Sequence, residues 1–180
     1  MLQITIPETE LWDDEHQEFI RMKEYVLQLE HSLVSISKWE SKWNKVFLSK
    51  ESKTYEETID YIKCMTITQN IPDKVYRCIT KANVDAIEKY ISAPMTATWF
   101  NKEKPAGMNR EKTTSELIYY WMIALNIPFE CQKWHLNRLL TLIRVCNIKN
   151  TPPKKMSKSA LMKRNAALNA ARRQQYNTTG

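Results

Sequence analysis

Leu2, Ile4 and Ile6 alternate with Gln3 and Thr5, the period of two expected of a strand with one buried face, and Pro7 stops the run. A second alternation, Tyr25, Leu27 and Leu29 against Val26 and Gln28, predicts a partner strand and so a small N-terminal sheet. From Leu29 the spacing changes to steps of four and three. Leu29, Leu33, Ile36, Trp39 and Trp43 fall on one helical stripe, away from Lys38, Glu40, Ser41 and Lys42, which predicts an amphipathic helix. Between the two strands, Glu8, Glu10, Asp13, Asp14, Glu15 and Glu18 read as the approach to a short surface helix and its first turns, where acids complement the helix dipole.

Thr54-Tyr-Glu-Glu57 has the spacing of a capping box, in which hydroxyl and carboxylate each take a free backbone N–H; Ile59, Ile62 and Met65 continue the helix. Pro72 separates a short segment, Val75 to Ile79, from a helix carrying Val84, Ile87 and Ile91, which Pro94 ends. Met95 to Phe100 reads as extended or irregular chain and Asn101 to Arg110 as a surface loop. Thr113-Thr-Ser-Glu116 opens another capped helix, whose unbroken apolar run from Leu117 to Leu125 predicts a central helix covered on several sides. Asn126-Ile-Pro-Phe makes a tight break. Residues 131–146 then return as a helix with Leu136, Leu139, Leu140 and Ile143 on one face, packed antiparallel to its predecessor or at a sharp angle. Thr151-Pro-Pro-Lys-Lys155 begins a linker, and Ser157 to Tyr176 favours helix by propensity, with a weak stripe of Leu161, Ala166, Leu168 and Ala171. There is no internal repeat. The expected fold is mainly α, with a minor N-terminal β element: a helical domain over residues 1–148 and a C-terminal extension over 149–180, partly helical or disordered.

Composition removes whole classes of chemistry. The chain of 180 residues holds two glycines, Gly107 and Gly180, where average usage of roughly 7% would supply about a dozen. A phosphate-binding P-loop, a dinucleotide-binding turn and a nucleophile elbow each need several glycines in a short window. None fits here. The formal charge of +7 is unevenly placed. Residues 149–180 carry eight bases and no acid, and Glu130 is the last acid, so the body before them is close to neutral. Such asymmetry points to an appendage with its own partner. The N-terminal stretch lacks the basic region of a secretory leader, and nine apolar residues in a row are too few to span a bilayer core of about 30 Å, so a soluble protein is expected. Cys64, Cys78, Cys131 and Cys146 form no C-x-x-C pair and read as free core thiols in a reducing cytosol.

Four constellations could carry chemistry, each with a plainer rival. Cys131 and His135, four apart on one helical face, have the spacing of two zinc ligands or of a thiolate beside its base, or of a core cysteine next to a half-buried histidine. The acids from Glu8 to Glu18 could pair for acid–base or Mg²⁺ chemistry, or form a solvated face. Among the tryptophans, Trp39, Trp43 and Trp121 fall on core stripes. Trp12 and Trp99, with Phe100 beside it, are the candidates for a partner-binding surface. The helix pair 116–126 and 131–146 has helix-turn-helix spacing, but its second helix is mostly leucine and isoleucine, as in a core αα-hairpin. For phosphate or acidic partners the better candidates are Lys154, Lys155, Lys158, Lys163, Arg164, Arg172 and Arg173 in the extension. No metal or cofactor is called for, and an enzyme is not the expected class.

Two long stretches resemble a family of tailed-bacteriophage morphogenesis proteins: Leu29-Glu-His-Ser-Leu-Val-Ser-Ile-Ser-Lys-Trp-Glu-Ser41, and Tyr119 through Trp121, Asn126-Ile-Pro-Phe and Trp134-His-Leu-Asn-Arg to Cys146. Met95-Thr-Ala-Thr-Trp-Phe100 and the Pro-Pro-Lys-Lys tail fit the same pattern, so the resemblance spans nearly the whole chain. The family includes members called tail assembly chaperones. The resemblance implies a non-enzymatic factor of the host cytoplasm that binds the helical tape measure protein, keeps it in solution and helps recruit tail-tube subunits. It carries over no active-site residue. The alternatives are a virion component, such as a head–tail connector or tail-completion protein, and a nucleic-acid-binding protein acting through the basic tail.

Overall fold

The computed structural model describes residues 1–13, 17–100, 112–152 and 157–177. The fold is mainly helical with a small β region at its N-terminus. Strands β1 (Leu2–Ile6), β2 (Thr9–Asp13), β3 (Glu18–Met22) and β4 (Tyr25–Leu29) come first. Helices α1 (Leu33–Trp43), α2 (Tyr55–Met65), α3 (Lys81–Ser92), α4 (Ser115–Ala124), α5 (Leu136–Asn150) and α6 (Lys158–Tyr176) follow, with 3-10 turns at Asp73–Cys78 and Phe129–Lys133. By internal contacts the chain divides into Met1–Asn147 and Ile148–Gly180, a division that falls within α5.

β1 pairs antiparallel with β4, as the two alternations predict, with Ile4 opposite Leu27 and Ile6 opposite Tyr25. The acidic segment differs from expectation. Asp14 and Glu15 lie outside the described residues, and those on either side form the outer half of the same ribbon, β2 against β3, with Thr9 opposite Met22 and Trp12 opposite Phe19. From the Ile6–Tyr25 pair to the Thr9–Met22 pair both strands advance three residues, so the register passes unchanged through the gap at Pro7. Pro7 has no N–H to give the ladder. The buried face changes across that gap: Ile4, Ile6, Leu27 and Leu29 are covered in the inner half, and Met22, with Leu11 and Ile20 partly covered, in the outer half. The far edge of β4 is occupied by the end of α2, where Ile67 N–H donates to the Gln28 carbonyl at 2.8 Å and Glu30 N–H to the Met65 carbonyl at 2.9 Å.

Helix α1 is the central helix. Leu29 belongs to β4, and the stripe continues inward through Leu33, Ile36 and Trp39, all buried. Ser32 caps the helix, its hydroxyl accepting from Ser35 N–H, and Asn44 ends it in the left-handed region at φ 52°. α1 packs against α2, α4 and the second 3-10 turn. The Trp39 indole N–H donates to the Glu57 carbonyl at 2.8 Å and that of Trp43 to Asp60 at 2.9 Å. The Thr54–Glu57 capping box opens α2 as predicted.

Helix α4 departs from expectation twice. Its cap is Thr114, one residue later than the capping-box spacing suggests, and its apolar run is not covered all round. Ser115, Ile118 and Met122 face the core, whereas Tyr120 and Ile123 are 63% and 61% exposed. Glu40 of α1 joins the two helices: its carboxylate accepts from Phe47 N–H and Ser115 N–H, each at 2.8 Å. Asn126 turns the chain at φ 52°, and the next segment is a 3-10 turn, so α5 starts at Leu136 rather than near residue 131. Met95 to Phe100 is irregular, as expected, and the predicted loop 101–110 lies outside the described residues. Among the described residues no helix is long and apolar enough to cross a membrane.

Candidate functional site

The 3-10 turn separates the thiol and imidazole that the sequence places on one helix. Cys131 is buried within that turn, while His135 precedes α5 and caps it. His135 Nδ1 accepts from Asn137 N–H at 3.2 Å and its Nε2 donates to the Tyr90 carbonyl at 3.0 Å. Both ring nitrogens are thereby used and the ring is held neutral in one tautomer, which leaves no lone pair for a metal. Among the described residues no group of three or more His, Cys, Asp or Glu side chains is placed to hold a metal ion. The four cysteines are free thiols.

His135 instead belongs to a buried chain of rings that runs through the core. Trp39 meets Phe47 edge-on at 5.2 Å, Phe47 lies 4.0 Å from Tyr61, and the His31 ring stands 5.9 Å from Tyr61 and 5.1 Å from His135, which reaches Tyr90 at 4.9 Å. His31 Nδ1 and the Tyr61 hydroxyl share a hydrogen bond, and the Tyr90 hydroxyl donates to Glu30 at 2.6 Å. Burial, with a smaller contribution from His135, lowers the His31 pKa to about 4. Burial also lowers that of His135 and raises the Tyr61 phenol. These residues link β4, α1, α2, α3 and α5, and their chemistry is closed on itself.

What remains open to a partner lies on the surface. Trp12 stands on the ribbon, 45% exposed, in edge-on contact at 5.0 Å with Phe19, which is 69% exposed. Sequence reasoning missed Phe19 because the segment was read as helix. As a hairpin, its position opposite Trp12 would have marked it. Trp99 is 83% exposed and Phe100 half-buried. Together with Pro94, Asn137, Thr141 and Arg144 they line an open groove of about 400 Å³, in which the Arg144 guanidinium lies 4.1 Å over the Phe100 ring. Trp12 is not part of that groove. The uncovered side of α4, with Tyr120 and Ile123 one turn apart, is the further apolar surface. The density of apolar residues concealed it, since such a run does not show which side will be covered.

Of the basic candidates, Lys158, Lys163, Arg164, Arg172 and Arg173 lie on α6, a helix of 19 residues that buries none of its side chains. Lys154 and Lys155 lie outside the described residues. The chain finds no significant match among protein-family models, curated proteins or solved structures.

Proposed function

We propose that the chain is an assembly factor of a tailed bacteriophage, of the tail assembly chaperone kind, working in the host cytoplasm. It would hold the tape measure protein in solution and help recruit tail-tube subunits. The observation that supports this reading most is the open face of α4. A ten-residue helix composed almost wholly of apolar side chains leaves Tyr120 and Ile123 uncovered, inside the stretch that carries the resemblance to phage morphogenesis proteins. A partner helix laid along that face would bury its own apolar stripe there, the helix-against-groove mode by which long amphipathic helices are held. A long helical protein waiting for its tube subunits needs such cover.

Co-expression with the tape measure protein of the same phage tests it. The tape measure protein is expected to move from the pellet into the soluble fraction and to co-purify with this chain. Ile123→Asp, at an exposed position, should abolish the complex while leaving the thermal midpoint of the chain unchanged. A tape measure protein that stays insoluble and unbound would sink the proposal. Mass spectrometry of purified particles adds a second reading, since a chaperone is absent from finished virions whereas a connector or completion protein stays in them.

A further inference from the structure

Helix α6 presents an unusual surface. It runs for 19 residues, Lys158–Tyr176, without a buried side chain, and its sequence contains five cations and no acid. Isolated helices shorter than about 12–15 residues are marginal in water, and α6 is longer than that and rich in alanine. Its cations are not gathered on one side. At 100° per residue, Lys158, Asn165, Asn169, Arg172 and Tyr176 follow one another in steps of seven, four, three and four along a single stripe, whereas Lys163, Arg164 and Arg173 project to other sides. The rest of the circumference carries five alanines, Ala160, Ala166, Ala167, Ala170 and Ala171, with Leu161, Met162 and Leu168 exposed between the cations.

That arrangement discriminates between classes of anionic partner. A membrane surface requires an apolar face set apart from a charged one, and here cations interrupt every side. An acidic protein surface covers one face and would leave the cations on the opposite side in water. The major groove of a duplex, about 12 Å wide, has a row of phosphates on each wall and base edges on its floor. It takes a helix whose flanks are cationic and whose inward stripe is amide and guanidinium, and alanines keep such a helix slim enough to enter. Asn is suited to the N6/N7 edge of adenine, and Arg to O6/N7 of guanine.

We propose that α6 is a nucleic-acid-binding element that enters the major groove of duplex DNA, with Asn165, Asn169 and Arg172 toward the bases and Arg164 and Arg173 toward the flanking phosphates. This is a second activity, independent of the chaperone reading, since it uses no residue of α4. Phosphate contacts supply the affinity and make it depend on salt.

The test is fluorescence anisotropy of the full chain with a labelled 30-base-pair duplex of mixed sequence. With Arg164 and Arg173 each neutralising a phosphate, the affinity is expected to fall about 12-fold between 50 and 200 mM NaCl, from a slope of about −0.9 per phosphate neutralised. Arg173→Gln should weaken every duplex alike and make the slope shallower by about 1, and Asn169→Ala should reduce discrimination between duplexes and leave the slope unchanged. Because all these positions are exposed, circular dichroism of each variant should match the parent. Undetectable binding at 50 mM NaCl, or a salt-independent affinity, overturns the proposal. So does equal binding to a labelled polyglutamate chain of matched charge, which would make α6 a docking element for acidic proteins instead.

Discussion

His31 stores a pH dependence in the core. Its ring meets Tyr61, Phe47 and His135, and His135 in turn meets Tyr90, whose hydroxyl holds Glu30. The folded chain keeps His31 neutral down to about pH 4, while the unfolded chain takes up the proton near the ordinary imidazole value of 6.5. Between those values the unfolded state binds more protons, so stability is full above pH 6.5 and declines as the pH falls toward 4. A displacement of this size corresponds to about 3 kcal/mol, and the lowered pKa of His135 acts in the same direction. Urea unfolding at pH 7 and pH 4.5 should show the loss, and His31→Gln should remove much of it. An unchanged difference between the two pH values in the variant would assign the acid sensitivity to carboxylates. Glu40 makes a second residue-level prediction. Glu40→Ala leaves Phe47 N–H and Ser115 N–H without their acceptor and should cost about 3 kcal/mol in the same measurement.

At the level of elements, α4 makes the clearest prediction, because one helix carries both a covered and an uncovered face. Ile118→Ala should cost about 2–4 kcal/mol and Ile123→Ala less than about 0.5, although the substitution is the same. Equal costs would show that the outer face is covered after all. Elements with local signals were legible in the sequence. The β1–β4 pairing followed from two alternations, the α2 start from Thr54 and Glu57, and the α3 end from Pro94. Elements settled by distant partners were not. The acids of residues 8–18 suit a helix start by charge alone, and only pairing of Trp12 with Phe19 and Leu11 with Ile20 makes them a hairpin. The helix expected from residue 131 gives way to a 3-10 turn because Leu136 N–H is taken by the His31 carbonyl at 2.7 Å, far away in sequence. The candidate site divided in the same way. Exposure of Trp12 and Trp99 was legible by elimination from the core stripes, whereas Phe19, Tyr120, Ile123 and Arg144 depend on which faces the fold leaves open.

For the whole molecule, charge and core belong to different parts of the chain. The buried cluster draws on residues from Ile4 to Ile143, and the eight bases of residues 149–180 all lie after it. Deleting residues 157–180 removes Lys158, Lys163, Arg164, Arg172 and Arg173 with no acid, lowering the formal charge from +7 to +2. Since α6 buries no side chain, its removal should shift the thermal midpoint by less than about 2 °C, the scale set by surface changes under about 0.5 kcal/mol. The two proposed activities should separate in this variant. Duplex binding should disappear, while the tape measure protein should still co-purify, because the open face of α4 is untouched. A fall of the midpoint by more than about 5 °C would instead mean that α6 packs against another part of the protein in solution. Loss of both activities with an unchanged midpoint would mean that the basic extension serves the protein partner as well, so that charge attracts the tape measure protein before the apolar face holds it.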